Sequence, residues 1–363
     1  MRHSTSHGSV FYILPPHMLT SLAQHGTQEQ RTMALQMLGH DHSIRTVRMA
    51  QGLLSSKHGG ARASLTEEKA LYRTIYNVHG QTTLPGDQVR GEGQTPIQDV
   101  AVNEAYDGLG WTHALYLQVY SRNSIDDAGM RLDASVHYGT LYNNAFWNGE
   151  CMIFGDGDGQ LFNRFTCALD VIGHELTHGV TEDECKLAYV GQSGALNESI
   201  SDVFGSLVKQ YANHQTADQA DWLIGHGLFT SKVHGQALRS MRAPGEAYDD
   251  QLLGRDPQPS HMNNYVQTVE DNGGVHINSG IPNHAFYLVA TAIGGFAWEK
   301  AGRIWYETLR DPRLRSTATF RMFARLTLTN AERIYGASST EWSAVHDAWS
   351  QVGVQVPAMI TEH

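Results

Sequence analysis

The chain has 363 residues, 41% of them hydrophobic, enough for about two domains with a substantial core. Asp plus Glu number 37 against 26 Lys plus Arg, a formal charge of −11, which argues against nucleic acid or an anionic membrane as the main partner. The three cysteines, Cys151, Cys167 and Cys185, show neither a disulfide framework nor zinc-knuckle spacing and read as buried free thiols.

The opening stretch MRHSTSHGSVFYILPPHML has an apolar run of five residues before Pro15 and Pro16, too short for a signal-peptide core, so ordinary Sec export is not expected. The proline pair pre-sets an extended segment, readable as a simple turn or a polyproline ligand. From Thr27, TQEQRTMALQMLGHDHSIRTVRMAQ has a helical pattern through Met33, Leu35, Met37 and Leu38, and the loop-like SSKHGGARAS follows. Between Tyr72 and about Cys167, RTIYNV, SVHYG and MIFGDGDGQLF carry strand signals separated by Gly, Asn and Asp turns. In the same half, YNNAFWNG reads as an exposed edge strand able to pair with an extended peptide. After Leu169 helical patterns dominate. The 14-residue run AFYLVATAIGGFAW, Ala285 to Trp298, falls short of the ~20 residues that span a bilayer and reads as a buried helix.

DVIGHELTHGV stands at the boundary of the two halves. Four residues of helix separate His174 from His178, which puts both imidazoles on one face, a metal-ligand spacing, while Glu175 faces past that point toward a water. The alternative is a pair of core histidines satisfied by hydrogen bonds. Downstream, SGALNESISDVFGSLVKQYA has an apolar stripe and a second face on which Gly194, Ser201 and Gly205 flank Glu198 and Asp202. Small residues there allow a second helix to come close; an ordinary solvated face would carry longer polar chains. Glu198 completes a His, His, Glu set of the open, catalytic kind, and Asp202 can accept the remaining ring N–H of a ligating histidine.

With FGDGDGQ, LRSM and DNGGVHINSGIPN in the same order along residues 72 to 355, the chain resembles the thermolysin family of zinc endopeptidases. That resemblance implies an α+β fold of two lobes: a β-rich N-terminal lobe, an α-helical C-terminal lobe, and a cleft between them. It implies one zinc ion on His174, His178 and Glu198, Asp202 and Asn197 supporting the ligands, and Glu175 as catalytic base. Tyr189, Arg239 and His276 would stabilise the transition state, with Asp271 orienting His276. Asn144 and the Ala145 carbonyl would hold the substrate backbone. Phe162, Phe165, Val171, Ile224 and Leu238 would line the pocket for the residue after the cut, favouring cleavage before bulky apolar residues; core packing is the plain alternative for each.

Two features depart from the family. At the positions of its double calcium site stand Asp170, Lys209, Asp221, Leu223 and His226, too few carboxylates and one opposing ammonium, so that site is expected to be absent. The short leader resembles that of the protealysin-type subgroup. It implies a propeptide at 1–50, a linker and the start of the mature chain at 51–71, the β-rich lobe at 72–169 and the helical lobe at 170–363. Val47, Met49, Leu53 and Leu54 would suit the primed-side pocket, giving a self-inhibited precursor that processes itself between about Arg45 and Ala63. The expected product is a monomer acting on polypeptides, with no nucleic-acid or membrane partner, released without a Sec signal or else cytoplasmic. A zinc aminopeptidase is disfavoured by the lack of a G-x-M-E-N element, and a metzincin by Thr181 and Glu184 at its Gly and third-His positions. A non-catalytic binding protein on this fold would be expected to have lost the base or a ligand.

Overall fold

A computed structural model of the chain describes residues 11–39 and 70–356. Residues 45–63, where processing is expected, lie outside that range.

The N-terminal lobe is built on one mixed sheet of six strands: β1 (Phe11–Tyr12), β2 (Arg73–Asn77), β3 (Asp87–Gly91), β4 (Leu132–Val136), β5 (Ala145–Trp147) and β6 (Cys151–Phe154), in the order β1-β5-β6-β4-β2-β3. RTIYN, LDASV and CMIF form the centre, β2–β4 and β4–β6 pairing in parallel, β5–β6 antiparallel. The strand signals around SVHYG and MIFGDG thus mark real elements. The lobe also holds a long helix that the pattern reading missed, α3 (Val100–Ala114), running on into a π-helical turn at Leu115–Val119. Its apolar residues lie on several sides, so no single stripe announces it. Gly108 lets it press on the next helix, where an added Cβ would meet Ile172 at 2.3 Å. Asp99 caps α3, accepting from Ala101 N at 3.0 Å and Val102 N at 3.3 Å.

The C-terminal lobe holds α4 (Leu169–Glu184), α5 (Gly191–Ala212), α6 (Asp271–Asn278), α7 (Gly280–Ile293), α8 (Ala301–Leu309), α9 (Phe320–Tyr335) and α10 (Thr340–Gln351). Between α5 and α6 lie the short antiparallel pairs β7 (Leu223–Ile224) with β8 (Arg239–Ser240), and β9 (Asp249–Asp250) with β10 (Gly254–Arg255). The apolar run at Ala285 is helical only as far as Ile293, because Gly294 and Gly295 take left-handed φ of 72° and 66° and end α7, and it is buried on one side, at Ala285, Phe286, Val289 and Ala290, with Thr291 and Ala292 exposed. Among the described residues no helix is long and apolar enough to cross a membrane.

Helix α5 is buried on nearly every side, not on one stripe. Its face of small residues meets α4 backbone to backbone: a Cβ on Gly205 would lie 2.3 Å from the Asp170 carbonyl oxygen and 3.0 Å from His174 N. Opposite it, a Cβ on Gly173 would lie 3.0 Å from the Gly205 Cα. No side chain fits between these helices.

The leader folds onto both lobes. Pro15 is extended, with φ −67° and ψ 145°, but Pro16 is the first residue of α1 (Pro16–His25), where a missing N–H costs nothing. The proline pair is therefore the junction between strand and helix, not a continuous extended segment. A second helix, α2, covers residues 28–39, the start of the helical pattern read from Thr27. Met18, Leu19, Leu22 and Ala34 are buried by this docking.

Gly205→Ala should destabilise the fold by about 3 kcal/mol or more, the cost of overpacking a backbone contact that cannot yield. Thermal melting of the purified variant checks this; an unchanged melting temperature would show that the helices have room to separate.

Candidate active site

On α4, His174 and His178 stand one turn apart, ring centroids 4.7 Å apart and planes nearly perpendicular. Each Nδ1 is engaged, that of His174 with Asp202 Oδ1 at 2.8 Å and that of His178 with Asn197 Oδ1 at 2.7 Å and Ser201 Oγ at 3.0 Å. Carboxylate and amide oxygens only accept, so both Nδ1 atoms carry hydrogen, and the Nε2 lone pairs face each other at 3.1 Å. Glu198 of α5 brings its carboxylate oxygens to 3.5 Å from His174 Nε2 and 3.6 Å from His178 Nε2. All three groups are buried.

Two nitrogen lone pairs and a carboxylate repel one another unless a cation lies between them. Tetrahedral zinc fits: at ordinary Zn–N lengths its ligands lie about 3.3 Å apart. Among the described residues no other group of three His, Cys, Asp or Glu side chains converges in this way.

Asp202 is the hub of the surrounding network. Besides His174 it accepts two hydrogen bonds from Arg239, at 2.8 Å each, and one from Asn283 Nδ2 at 2.8 Å. Burial alone would raise its pKa, but Arg239 and His174 override that and hold the carboxyl far below the ordinary carboxylate range. Glu175, also buried, receives Trp147 N–H on Oε2 at 3.2 Å, which ties the base to strand β5.

His276 and Asp271 come from the DNGG turn that opens α6. Asp271, Asn272, Gly273 and Gly274 all have positive φ, between 50° and 86°, a left-handed turn suited to Asn and Gly. It folds Asp271 back so that its carboxylate accepts both His276 N, at 2.8 Å, and His276 Nδ1, at 2.7 Å. His276 Nε2 then lies 3.2 Å from Tyr189 OH, which donates to Glu198 Oε1. Gln258 Nε2 steadies the same turn through the His276 carbonyl at 2.8 Å.

The strand expected to be an exposed edge is not exposed. β1 pairs antiparallel with β5, Phe11 opposite Trp147 and Tyr12 opposite Phe146, and Ala145, Phe146 and Trp147 are all buried. Ile13 N–H donates to Ala145 O at 3.3 Å, Leu14 N–H to Asn144 Oδ1 at 3.2 Å, and Arg239 Nη1 donates to Ile13 O at 3.3 Å. The leader thus covers the strand with its own backbone. Ile13 and Leu14 are buried.

Phe162 and Phe165 stack obliquely at 5.9 Å. Ile224 pairs with Arg239, and Leu238 N–H donates to Ile224 O at 2.9 Å. With Val171 on α4, these residues are buried in one apolar core that includes Ile13.

Deeper in the leader, His17 Nε2 lies 2.8 Å from Tyr248 OH, and Nδ1 has no hydrogen-bond partner among the described residues. Burial lowers its pKa to about 4; the Asp271 carboxylate opposes this, while His276 and Arg239 add to it. The sequence reading singled out neither His17, Tyr248, Asn283 nor Gln258; each acts through a contact with a distant segment and carries no local signal.

Lys209, read as the odd member of the calcium positions, places Nζ 2.7 Å from Asp170 Oδ2, 2.8 Å from Asp221 Oδ1 and 2.7 Å from the Leu223 carbonyl. His226 Nδ1 lies farther out, 3.6 Å from Asp221 Oδ2.

Comparison with known proteins agrees with this geometry. Residues 27–182 match the family model of the thermolysin metallopeptidase catalytic domain, and residues 185–354 that of its alpha-helical domain. An extracellular metalloprotease of Pectobacterium carotovorum subsp. carotovorum is 53% identical over 344 residues, 95% of this chain and 96% of the relative. A thermolysin of Alicyclobacillus acidocaldarius subsp. acidocaldarius is 39% identical over 288 residues, 77% of this chain and 50% of that protein. The solved structure of the precursor of protealysin, a metalloproteinase from Serratia proteamaculans, is similar with a TM-score of 0.84 and 54% identity, covering 95% of this chain and all of that one. The chain belongs to the thermolysin family of zinc metalloendopeptidases, on its protealysin-like branch.

Proposed function

We propose that the chain is made as a precursor that processes itself, and that the mature enzyme cuts internal peptide bonds before bulky apolar residues. The observation that carries this is the convergence of His174, His178 and Glu198 beside Glu175, with an extended peptide segment held nearby by Arg239, Asn144 and the Ala145 carbonyl. Zinc, when bound, supplies a nucleophilic water at neutral pH and polarises the scissile carbonyl. Glu175, held by Trp147 N–H, takes that water's proton and passes it to the leaving amine. Tyr189 OH and His276 Nε2 flank the same spot and stabilise charge growing on the carbonyl oxygen, as Asp271 holds the far side of His276. Asp202 and Asn197 fix the ligand tautomers. Arg239, Asn144 and the Ala145 carbonyl grip the backbone after the cut, and Phe162, Phe165, Val171, Ile224 and Leu238 receive its first side chain.

Residues 1–50 form the propeptide, joined through 51–71 to lobes at 72–169 and 170–363, with the processing cut between about Arg45 and Ala63. The mature enzyme is a monomer. Relatives named as extracellular support release from the cell.

Glu175→Gln should keep its zinc and lose nearly all hydrolysis of an internally quenched peptide, and should stay full length when expressed alone. His276→Ala should keep its zinc and lower turnover about 100-fold. Zinc loss in step with activity, or a rise in KM alone for His276→Ala, would contradict these roles.

The Lys209 ammonium stands between Asp170 and Asp221 in place of a divalent ion, so millimolar calcium should leave the thermal inactivation rate nearly unchanged. Marked stabilisation by calcium, with ions beside Asp170, would overturn this.

Docking of the leader should weaken in acid. A histidine held near pKa 4 when docked takes up its proton only on release, so the contribution is intact above the ordinary value of 6.5 and is lost as pH falls toward 4. Each pH unit in that window weakens docking by up to about tenfold. Exchange of the leader amides in Glu175→Gln, followed from pH 7 to 4.5, checks this. Burial is the main reason a charged His17 is disfavoured, with Asp271 opposing it, His276 and Arg239 adding to it and Tyr248 OH its hydrogen-bond partner, so His17→Phe should flatten the profile.

A further inference from the structure

The leader's path through the cleft has the direction and register of a substrate. Ile13 donates its N–H to Ala145 O at 3.3 Å and offers its carbonyl to Arg239 Nη1 at 3.3 Å, while Leu14 N–H goes to Asn144 Oδ1 at 3.2 Å. These are the groups assigned above to the substrate backbone after the cut, so Ile13 occupies the position just past the scissile bond. The peptide plane fixes the rest. In a trans peptide the C=O and N–H point in opposite directions, so with Ile13 N–H turned to β5, the Tyr12 carbonyl of the same unit points away from β5.

The side chains agree with this register. Ile13 is completely buried within the apolar core that holds Phe162, Phe165, Val171, Ile224 and Leu238. Tyr12, one residue earlier, belongs to the separate cluster of Val78, Tyr138, Phe146 and Ile153, its ring centroid 5.3 Å from that of Phe146. Strand alternation requires this division, because successive side chains point to opposite faces.

We infer that Tyr12–Ile13 is itself a cleavage site, cut within the molecule and separate from the processing region between residues 45 and 63. The inference rests on the endopeptidase reading of the site. The oxygen of one water bonds to the Tyr12 carbonyl carbon and the C–N bond to Ile13 breaks. Both water hydrogens end on nitrogen, leaving a Tyr12 carboxylate and an Ile13 ammonium. The cut frees the β1 segment from β5 and creates a positive charge at a fully buried position near Arg239, a charge that has to reach water. Cleavage therefore loosens the part of the leader that remains.

The test uses the full-length chain loaded with zinc, sampled over time into chelator and read by intact mass and terminal peptide mapping. A peptide ending at Tyr12 and a chain beginning at Ile13 should accumulate with a half-life independent of protein concentration, and neither should form in Glu175→Gln. Ile13→Asp, which sets a carboxylate in the apolar pocket, should slow this cut at least tenfold. A readout independent of activity is hydrogen exchange in Glu175→Gln, where the Ile13 and Leu14 amides should be protected; free exchange at both would overturn the register. If the protein hydrolyses an added quenched peptide while Tyr12–Ile13 stays intact, the inference falls and the endopeptidase reading stands. Failure of both reactions would count against both, and a half-life that shortens as protein concentration rises would overturn the intramolecular route.

Discussion

The contact between α4 and α5 at Gly173 and Gly205 is the constraint on which the site depends. A metal site needs side chains from two elements whose atoms converge within a few ångströms, and Glu198 is too short to reach His174 and His178 across an ordinary helix spacing. With a Cβ on Gly205 excluded by the Asp170 carbonyl, the backbones themselves touch, and the carboxylate arrives 3.5 Å from His174 Nε2. The same approach lets Asp202, one turn along α5, reach His174 Nδ1. One close contact thereby sets both the ligand and the group that fixes the tautomer of another ligand.

Such an arrangement buries charge, and the surroundings compensate. Asp202 receives four hydrogen bonds, from His174, Arg239 twice and Asn283, so its carboxylate is satisfied without water. Arg239 draws its own support from that carboxylate and still has Nη1 to offer to a peptide carbonyl. Removing one member of such a set leaves another buried and unpaired, which costs far more than the pair contributes. The group that holds the leader's Ile13 carbonyl and the group that orients His174 are thus one structural unit.

The sequence made the metal site legible because its information is local. Helical spacing alone puts His174 and His178 together, and the small residues around Glu198 announce a close helical neighbour. Asn283, Gln258 and Tyr248 left no such trace, since each works through a contact with a segment far along the chain. The same cause explains the misread edge. YNNAFWNG has the alternation of a strand with an open side, but its partner is the leader, 132 residues earlier at Ile13 and Ala145, and no local pattern reports that pairing. Helix α3 escaped for a different reason, as burial on several sides removes the stripe by which a helix is recognised.

An uncovered β5 would be a liability as well as a binding surface, since an unpaired strand edge invites association with any extended chain. The leader removes that liability during folding and does so with few residues, because a tethered segment competes at an effective concentration set by its linker. Burial of Ile13, Leu14, Met18, Leu19 and Leu22 contributes roughly 1.5–3 kcal/mol each as an upper bound. Ordering entropy offsets much of that, and Pro15 and Pro16, which fix the junction between strand and helix, lower the offset by up to about 1 kcal/mol each. The advantage lasts only while the chain is continuous. Were the tether cut, the leader would bind as a free peptide at its own dilute concentration, and the edge that it covers would open to other extended chains.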